Sequence, residues 1–583
     1  MFSSTSCCHP KETAATQLAP ALADAPKKVV PAHHAATQST GSTGSTADLL
    51  VLGNIVTNNP AQPTAEAMAI SGGKIIGIGS QSEVEGLVNA STKTLKPGGT
   101  ILPGLIDPHM HIWTSLLNYP DDDLSHEINP TFDSVIAAIK SAVAKTPSGQ
   151  PVSFKNFDPS LYPDEPILTR TILDQLAPNN PVLVWNASGH FMYVNSLMFA
   201  AAGITDQTPD PLGGTFERVD GKLTGVVGEP PAEQLILKGL PKPSMTDVAT
   251  YIREILTACA AQGVTSVREA ATGALVGPQE LALLHQLNGA SRFPVRVSTA
   301  QFAVLPGHTP VQVAAMWKEA GVTPFSGDEM LRADAWKVVS DGSNQGRSGY
   351  FLQPYLGEDN GGKADYTPES LRVAIKAGLD EGWQIMVHTN GDAAVEFVLE
   401  AFEEILPAYG NSDLRHRLEH CSFTMDDQLT RMAALGVSPS FLMNHLYYWG
   451  AAFRDTILGP KRAGRLDRVA SAYRAGLRPS LHSDYNVTAV HPLLSARTAV
   501  LRKTKADGQV INADECATPE QALAAITTNA AWQIHADDRG SLEVGKAADF
   551  GIANGNPWNS APETWADITF QATYVGGEVA WEA

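Results

Sequence analysis

The chain has 583 residues, too many for one simple core, because single domains usually hold about 100–200 residues and barrel domains about 250. Its 61 acidic residues outnumber 41 basic ones, and the formal charge of −20 would repel nucleic acid phosphates and anionic membrane surfaces. No apolar run reaches the roughly 20 residues of a membrane span. We therefore expect a small-molecule substrate and neither a nucleic acid nor a membrane as partner, while a homodimer stays open.

The first segment, residues 1–46, is rich in Ala, Thr, Ser and Pro and ends in STGSTGST. This composition buries too little apolar surface to offset the entropy of ordering, so it predicts a disordered tail. The segment has no basic start followed by an apolar stretch, and the five cysteines are odd in number and widely spaced. Both features favour a cytoplasmic protein; export by an atypical or truncated signal is the alternative.

Short β-rich runs follow the tail, in LLVLGNIVTNN and AEAMAISGGKIIGIGS, and a matching pattern returns in the last 43 residues. Neither end has enough strands for a stable sheet alone. We expect residues 47–101 and 541–583 to form one small β-sandwich domain, with residues 102–540 inserted between its halves.

The central segment alternates helical patterns with short apolar strands, which is typical of an α/β fold and predicts a (β/α)8 TIM-like barrel. One predicted helix covers MTDVATYIREILTACAAQG, and another begins at Thr518. The predicted barrel strands, in chain order, are ILPGLID, GVTSVRE, PVRVSTA, AWKVVSDG, WQIMVHTN, HRLEHC, GVSPSF and RPSLHSD. A long excursion, about residues 113–245, separates the first two and would overhang the carboxyl-terminal rim, where barrel active sites are built.

Five of these eight strands end in a side chain that can bind metal. His109 and His111 follow the first strand and share a face, because strand side chains alternate. Four more strand ends carry Lys337, His388, His420 and Asp484. Each residue alone has a structural explanation: a hydrogen-bonded core histidine, a capping aspartate, or a lysine reaching the rim. Their ordered combination favours a metal site.

The segments PGLIDPHMH, WKVVSDG, MVHTNGD, RLEHC, LHSD and GSLEVGKAADF resemble the amidohydrolase superfamily, and within it the YtcJ-like branch of amidohydrolase family 3. The resemblance covers the chain from Ala47 onward. It implies two divalent metal ions, with zinc favoured because imidazole ligands suit it. The implied ligands are His109, His111 and Asp484 for one ion, His388 and His420 for the other, and a carboxylated Lys337, or alternatively Glu229, as the bridge.

The resemblance also implies hydrolysis of a non-peptide C–N bond in an amide, formamide or N-acyl group. A metal-bridged hydroxide would attack, and Asp484 would act as general base and then general acid. Hydrolysis of an ester or lactone on the same site and a catalytically silent scaffold or regulator are the alternatives. The predicted substrate-binding residues are His190, Asn344, His445 and Tyr448, followed by Trp113, Asn195, Tyr350 and Trp449.

Overall fold

The protein is described by a computed structural model. The described residues are 46–119, 121–162, 165–187, 189, 191–211, 214–228, 230–241, 243–305, 307–410 and 413–583. Most of the predicted tail, together with His190 and Glu229, lies outside these ranges.

A parallel barrel occupies the centre of the chain. Its strands are hydrogen-bonded in chain order, so each pairs with the next along the sequence. The bounds of the eight strands found in the described residues are β1 Leu105–Met110, β2 Val264–Thr272, β3 Arg296–Phe302, β4 Leu331–Val339, β5 Gln384–Thr389, β6 Arg417–His420, β7 Ser438–Phe441 and β8 Ser480–Leu481. The last strand meets the first where the Asp484 amide donates to the His109 carbonyl oxygen at 3.1 Å. The predicted TIM-like barrel is confirmed.

Amphipathic helices surround the barrel. The predicted helix before β2 spans Met245–Ala261 and begins with a capping box between Ser244 and Asp247. The helix predicted after Thr518 begins with a capping box too. The α-helices of this part are Met245–Ala261, Gln279–Ala290, Pro310–Glu319, Pro368–Leu379, Asp392–Ile405, Asp426–Leu435, Asn444–Ala452, Pro460–Ala463, Val469–Arg474, Pro492–Leu501, Pro519–Ala525 and Thr528–Gln533.

The two ends of the chain meet in a second sheet. Strand Phe550–Ala553, from the carboxyl-terminal part, pairs antiparallel with Thr100–Pro103, which leads directly into β1. An isolated short helix, Gln81–Val84, packs on this sheet. The strands of the sheet are Leu49–Val56, Thr64–Ser71, Lys74–Gly79, Lys93–Leu95, Thr100–Pro103, Phe550–Ala553, Phe570–Val575 and Glu578–Glu582.

The excursion between β1 and β2 has a mixed sheet of its own. Its strands are Asp122–Asp123, Val152–Phe157, Val182–Asn186, Phe191–Val194, Thr215–Val219 and Lys222–Gly228. Its α-helices are Phe132–Lys145, Arg170–Leu176, Ser196–Ala201 and Pro230–Leu237. The excursion contacts the barrel rim where the Trp449 indole donates to Asp158 at 2.8 Å. It therefore covers the carboxyl-terminal end of the barrel.

Within the part of the chain that the structure describes, no helix is both long and apolar enough to span a membrane.

His416, at the base of β6, should make stability depend on pH. Its Nδ1 accepts a hydrogen bond from the Ile385 amide at 3.0 Å, and burial lowers its pKa from 6.5 to about 4. A histidine with a depressed pKa stabilises the fold above its unfolded pKa, and this contribution is lost as the pH falls from 6.5 toward 4. The free energy of unfolding should change by at most about 1.4 kcal/mol per pH unit because of this histidine.

We therefore expect the thermal midpoint of the wild type to fall more between pH 7 and pH 5 than that of His416→Asn. Asparagine can accept the same amide hydrogen bond without titrating. Equal falls in the two proteins would contradict this assignment.

Candidate active site

The predicted ligands lie together at the carboxyl ends of the barrel strands. His109 belongs to β1, Lys337 to β4, His388 to β5 and His420 to β6, while Asp484 follows β8. His420 and Asp484 have φ values of 66° and 51°, in the left-handed region that non-glycine residues rarely adopt. This conformation turns the chain sharply where the strands end. Such strained residues are found preferentially at functional sites.

Three side chains form one compact group of ligand atoms. The Oδ1 atom of Asp484 lies 3.2 Å from His109 Nε2 and 3.1 Å from His111 Nε2. Ligand atoms on one tetrahedral zinc ion, each about 2.05 Å from it, lie about 3.3 Å apart. The spacing and the donor types of this group therefore fit a divalent metal such as zinc.

The electrostatics of the group favour an ionised aspartate. Burial opposes the charge of Asp484, but its contacts with His420, His109 and His111 outweigh this effect and hold its pKa well below the usual value. Burial also opposes the charged form of His111, yet the hydrogen bond to Asp484 raises its pKa. For His109, burial and the nearby Lys337 charge lower the pKa. The group thus combines a carboxylate with a neutral imidazole at His109.

A second group of ligand atoms joins His109 and His420 with His482, a residue that the predicted ligand set did not include. His482 Nε2 lies 3.2 Å from His420 Nδ1. The His388 and His420 rings are neighbours, with centroids 4.5 Å apart. His388 Nε2 lies 3.1 Å from the Asn390 amide nitrogen, and burial lowers the pKa of His388 to about 3. Both histidines predicted for the second metal therefore line the same region in neutral form.

Lys337 is buried, and its Nζ lies 3.5 Å from Nε2 of His109, the residue that both groups share. This position is compatible with a ligand between two ions. The alternative bridge, Glu229, lies outside the described residues.

Glu419 is a functional residue that the sequence reasoning missed. Its Oε2 accepts a hydrogen bond from His109 Nδ1 at 2.6 Å and another from Arg417 at 2.8 Å. Burial opposes its charge, but Arg417 and the His109 hydrogen bond hold its pKa below the usual value. Because Nδ1 of His109 carries the shared proton, Nε2 is left to coordinate metal. In the sequence, the position of this glutamate directly before His420 in RLEHC could have indicated its role.

Glu419→Gln is expected to weaken zinc binding about 10–100-fold, because such partners orient the ligand histidine. It should also destabilise the fold by about 3–5 kcal/mol, since it leaves the buried Arg417 without its carboxylate. Zinc competition with a chromophoric chelator measures the first effect. Glu280→Gln is the matched control, a buried glutamate bonded to backbone amides. Unchanged zinc affinity in Glu419→Gln would contradict the assignment.

The ligand groups face a cavity of about 190 Å³ beneath the excursion. His111, His388, His420 and Asp484 line it, together with apolar and amide side chains that include Leu275, Leu442, Trp185, Asn118, Asn186 and Asn390. A second cavity of about 130 Å³ shares Asn156, Ala187, Asn486 and Val487 with the first. The two form one recess that extends from the strand ends into the excursion.

The predicted substrate-binding residues occupy different places. His445 lines the first cavity; Tyr448 and Trp449 line the second, where the Tyr448 hydroxyl donates to Glu127 at 2.7 Å. Asn344 is buried and donates a hydrogen bond to Asn390 at 3.0 Å. It therefore helps to orient Asn390, which lines the first cavity. The remaining candidates in the described residues lie outside both linings: Trp113, Asn195 and Tyr350. Asn195 caps the helix Ser196–Ala201.

Comparison with known proteins identifies relatives over nearly the whole chain. The family model described as amidohydrolase family matches residues 97–580. N-substituted formamide deformylase of Arthrobacter pascens is 28% identical over 553 residues, which cover 92% of this chain and 98% of the relative. YtcJ of Bacillus subtilis is 27% identical over 541 residues, covering 89% and 96%. A metal-dependent hydrolase of Pyrococcus horikoshii shares the fold, with a TM-score of 0.69, 21% identity and coverage of 88% and 99%.

Proposed function

The chain belongs to the amidohydrolase family, and we propose that it is a metal-dependent hydrolase that cleaves the C–N bond of a neutral amide or formamide. The observation that carries this proposal is that the Nε2 atoms of His109 and His111 both lie within 3.2 Å of Asp484 Oδ1 at the barrel rim. Three ligands with an open position toward a cavity are typical of catalytic metal sites.

Six side chains would hold the metal ions: His109, His111 and Asp484 for one, His388 and His420 for the other, and Lys337 as a carbamate between them. Glu229 remains the alternative bridge. Bound there, divalent ions would supply the positive charge that makes water a nucleophile at neutral pH and polarises a carbonyl group.

The two carboxylate oxygens of Asp484 have different neighbours. Its Oδ1 lies within 3.2 Å of both His109 Nε2 and His111 Nε2, whereas Oδ2 lies 3.9 Å from His420 Nδ1. Asp484 also lines the cavity. Oδ2 can therefore take the proton from the attacking water and later deliver it to the leaving nitrogen, as a general base and then a general acid.

The lining of the first cavity indicates a substrate without charge near the scissile bond. Amide side chains such as Asn118, Asn186 and Asn486 alternate with apolar ones such as Leu275 and Leu442. Amides donate and accept hydrogen bonds and can thus recognise a neutral carbonyl and N–H. The relative named N-substituted formamide deformylase, at 28% identity, supports an N-substituted formamide.

In this proposal His445 would donate a hydrogen bond to the substrate carbonyl. Both its ring nitrogens are buried, and among the described residues neither has a hydrogen-bond partner. Burial lowers its pKa to about 4, so the imidazole is neutral at working pH. An unsatisfied buried donor is costly, and a substrate oxygen would satisfy it.

His445→Phe is expected to lower kcat/KM about tenfold, the effect of one lost hydrogen bond of roughly 1.5 kcal/mol. The phenyl ring can keep the edge contacts with Trp449 and Phe453. His285→Phe, which changes a buried histidine that lines neither cavity, is the matched control. Equal kcat/KM in His445→Phe and wild type would exclude this role.

An activity panel tests the reaction class. The zinc-loaded protein is assayed with N-substituted formamides, N-acyl amines, esters and lactones of matched size. Preferential formamide or amide turnover supports the proposal. Preferential ester or lactone turnover would reassign the bond, and a metal-loaded protein inert toward the whole panel would favour a scaffold or regulator.

A further inference from the structure

A buried carboxyl group links two loops at the carboxyl-terminal rim of the barrel. Asp341 lies two residues after β4 and is fully buried. Its Oδ1 accepts a hydrogen bond from the backbone amide of Asn390 at 2.9 Å, and its Oδ2 accepts from the backbone amides of Gly391 and Tyr350, each at 2.9 Å. Tyr350 belongs to the loop after β4, whereas the other two residues follow β5. One side chain therefore holds the two loops together, and we refer to these three bonds as the clamp.

A carboxyl group is suited to three backbone donors, because its two oxygens carry enough lone pairs for them. Burial raises the pKa of Asp341 to about 8, and the three backbone hydrogen bonds oppose this rise. Both oxygens keep an acceptor lone pair in the neutral and in the ionised form, so the clamp does not depend on the charge of Asp341. An asparagine replaces one oxygen with a nitrogen that has no acceptor lone pair. It can therefore keep at most two of the three bonds.

The side chain of Asn390 adds bonds in the opposite direction. Its Nδ2 donates to the Gly342 carbonyl oxygen at 2.7 Å, and its Oδ1 accepts from Asn344 Nδ2 at 3.0 Å. Both partners belong to the loop after β4. The loop after β5 is thus bound to its neighbour through its backbone and through its own side chain.

Gly391 allows the two loops to approach closely. A Cβ atom built on this glycine would lie 1.8 Å from the Tyr350 carbonyl oxygen, far inside contact distance. Its φ of −82° is one that any residue can adopt, so the lack of space, and not the backbone conformation, requires glycine here. Gly391→Ala should therefore separate the loops without changing Asp341.

The clamp lies against His388, a proposed ligand of the second metal. Nε2 of His388 is 3.1 Å from Asn390 Nδ2 and 3.6 Å from Asp341 Oδ1, and the ring neighbours that of His420. The orientation of the His388 ring therefore depends on where the two loops meet. Asp341 itself lines neither cavity.

We propose that Asp341 is a positioning residue: it fixes the loop after β5 against the loop after β4 and thereby holds His388 in the orientation that binds the second metal. Residues that orient a ligand in this way usually affect metal affinity without contacting the metal. This inference rests on the proposed function, in which His388 is a ligand.

Hydrogen–deuterium exchange of the metal-free protein tests the clamp itself. Peptides that cover residues 342–351 and 389–392 should exchange slowly in the wild type. In Asp341→Asn we expect about tenfold faster exchange in both loops, because at least one bond of the clamp is lost. Glu280→Gln is the matched control, since Glu280 accepts from backbone amides of the loop after β2 and should affect exchange only there. Unchanged exchange in either loop of Asp341→Asn would overturn the inference.

Zinc affinity tests the role of the clamp in the site. Competition with a chromophoric chelator should show, in Asp341→Asn, about 10–100-fold weaker binding of the ion that His388→Ala loses, while the other ion binds as in the wild type. Gly391→Ala should show the same pattern although Asp341 is intact. Glu280→Gln should lower the thermal midpoint but bind both ions with wild-type affinity.

The outcomes separate this inference from the proposed function. If Asp341→Asn or Gly391→Ala folds and binds both ions with wild-type affinity, the clamp is purely structural and the positioning role is overturned, while the proposed function stands. A wild type that binds no zinc would overturn the proposed function and the positioning role together.

Discussion

Asp484→Asn is expected to lower kcat about 10²–10⁴-fold, the usual contribution of a general base, and to weaken metal binding at the same time. Asparagine preserves the volume of the side chain but cannot take a proton at working pH, and its amide is a poorer ligand for a cation than a carboxylate. Because Asp484 contacts both His109 and His111, the change removes the centre of the ligand group. Turnover at saturating substrate and metal content per chain measure the two effects.

Asp549→Asn is the matched control for this change. Asp549 is equally buried, but it pairs with Arg296 at 2.8 Å, where the barrel meets the terminal sheet. We expect it to lower the thermal midpoint while metal content and kcat stay at the wild-type level. Wild-type turnover in Asp484→Asn would refute the assigned role.

His388→Ala is expected to abolish turnover and to reduce the metal content from two ions to one per chain. The ring of His388 neighbours His420, while the group of His109, His111 and Asp484 is complete without it. The first metal should therefore stay bound, and the fold should stay largely intact. Metal analysis of the dialysed variant, together with its kcat, measures both outcomes.

His416→Ala provides the comparison for His388→Ala. It removes a buried histidine from the base of the adjacent strand and should retain both metal ions. Two bound ions in His388→Ala would contradict its assignment to the second metal.

The barrel could be predicted because the residues that identify each strand are adjacent in the sequence. A short apolar run, repeated eight times with helical patterns between, predicts a parallel barrel and places the strand ends around one rim. His109, Lys337, His388, His420 and Asp484 could be selected for that reason, since all are strand-end residues.

Residues whose role depends on another side chain were harder to predict from the sequence than the strand-end ligands. Glu419 precedes His420 but bonds His109 of a distant strand, and this contact depends on the closure of the barrel. His482 lies two residues before Asp484, and alternation along β8 could have indicated that it faces inward. Its partner Ser440 comes from β7, so their contact became visible only in three dimensions.

The excursion was the least predictable region. Its strands pair across long sequence separations, such as Val182–Asn186 with Val152–Phe157, and the intervening helices weaken any local pattern. The cavity lining, including Trp185 and Asn186, depends on this packing. The cavity-lining residues of the excursion are therefore the part of the site that local sequence patterns predict least.

The metal content of the folded wild-type chain tests the central claim most directly. The protein is loaded with zinc, dialysed, and analysed by inductively coupled plasma mass spectrometry, with circular dichroism to verify folding. Binding by His109, His111, Asp484, His388 and His420 predicts two ions per chain and formamide or amide turnover that disappears on chelation and returns with zinc. A folded chain that retains no metal, or that hydrolyses these substrates equally well without it, would contradict the account.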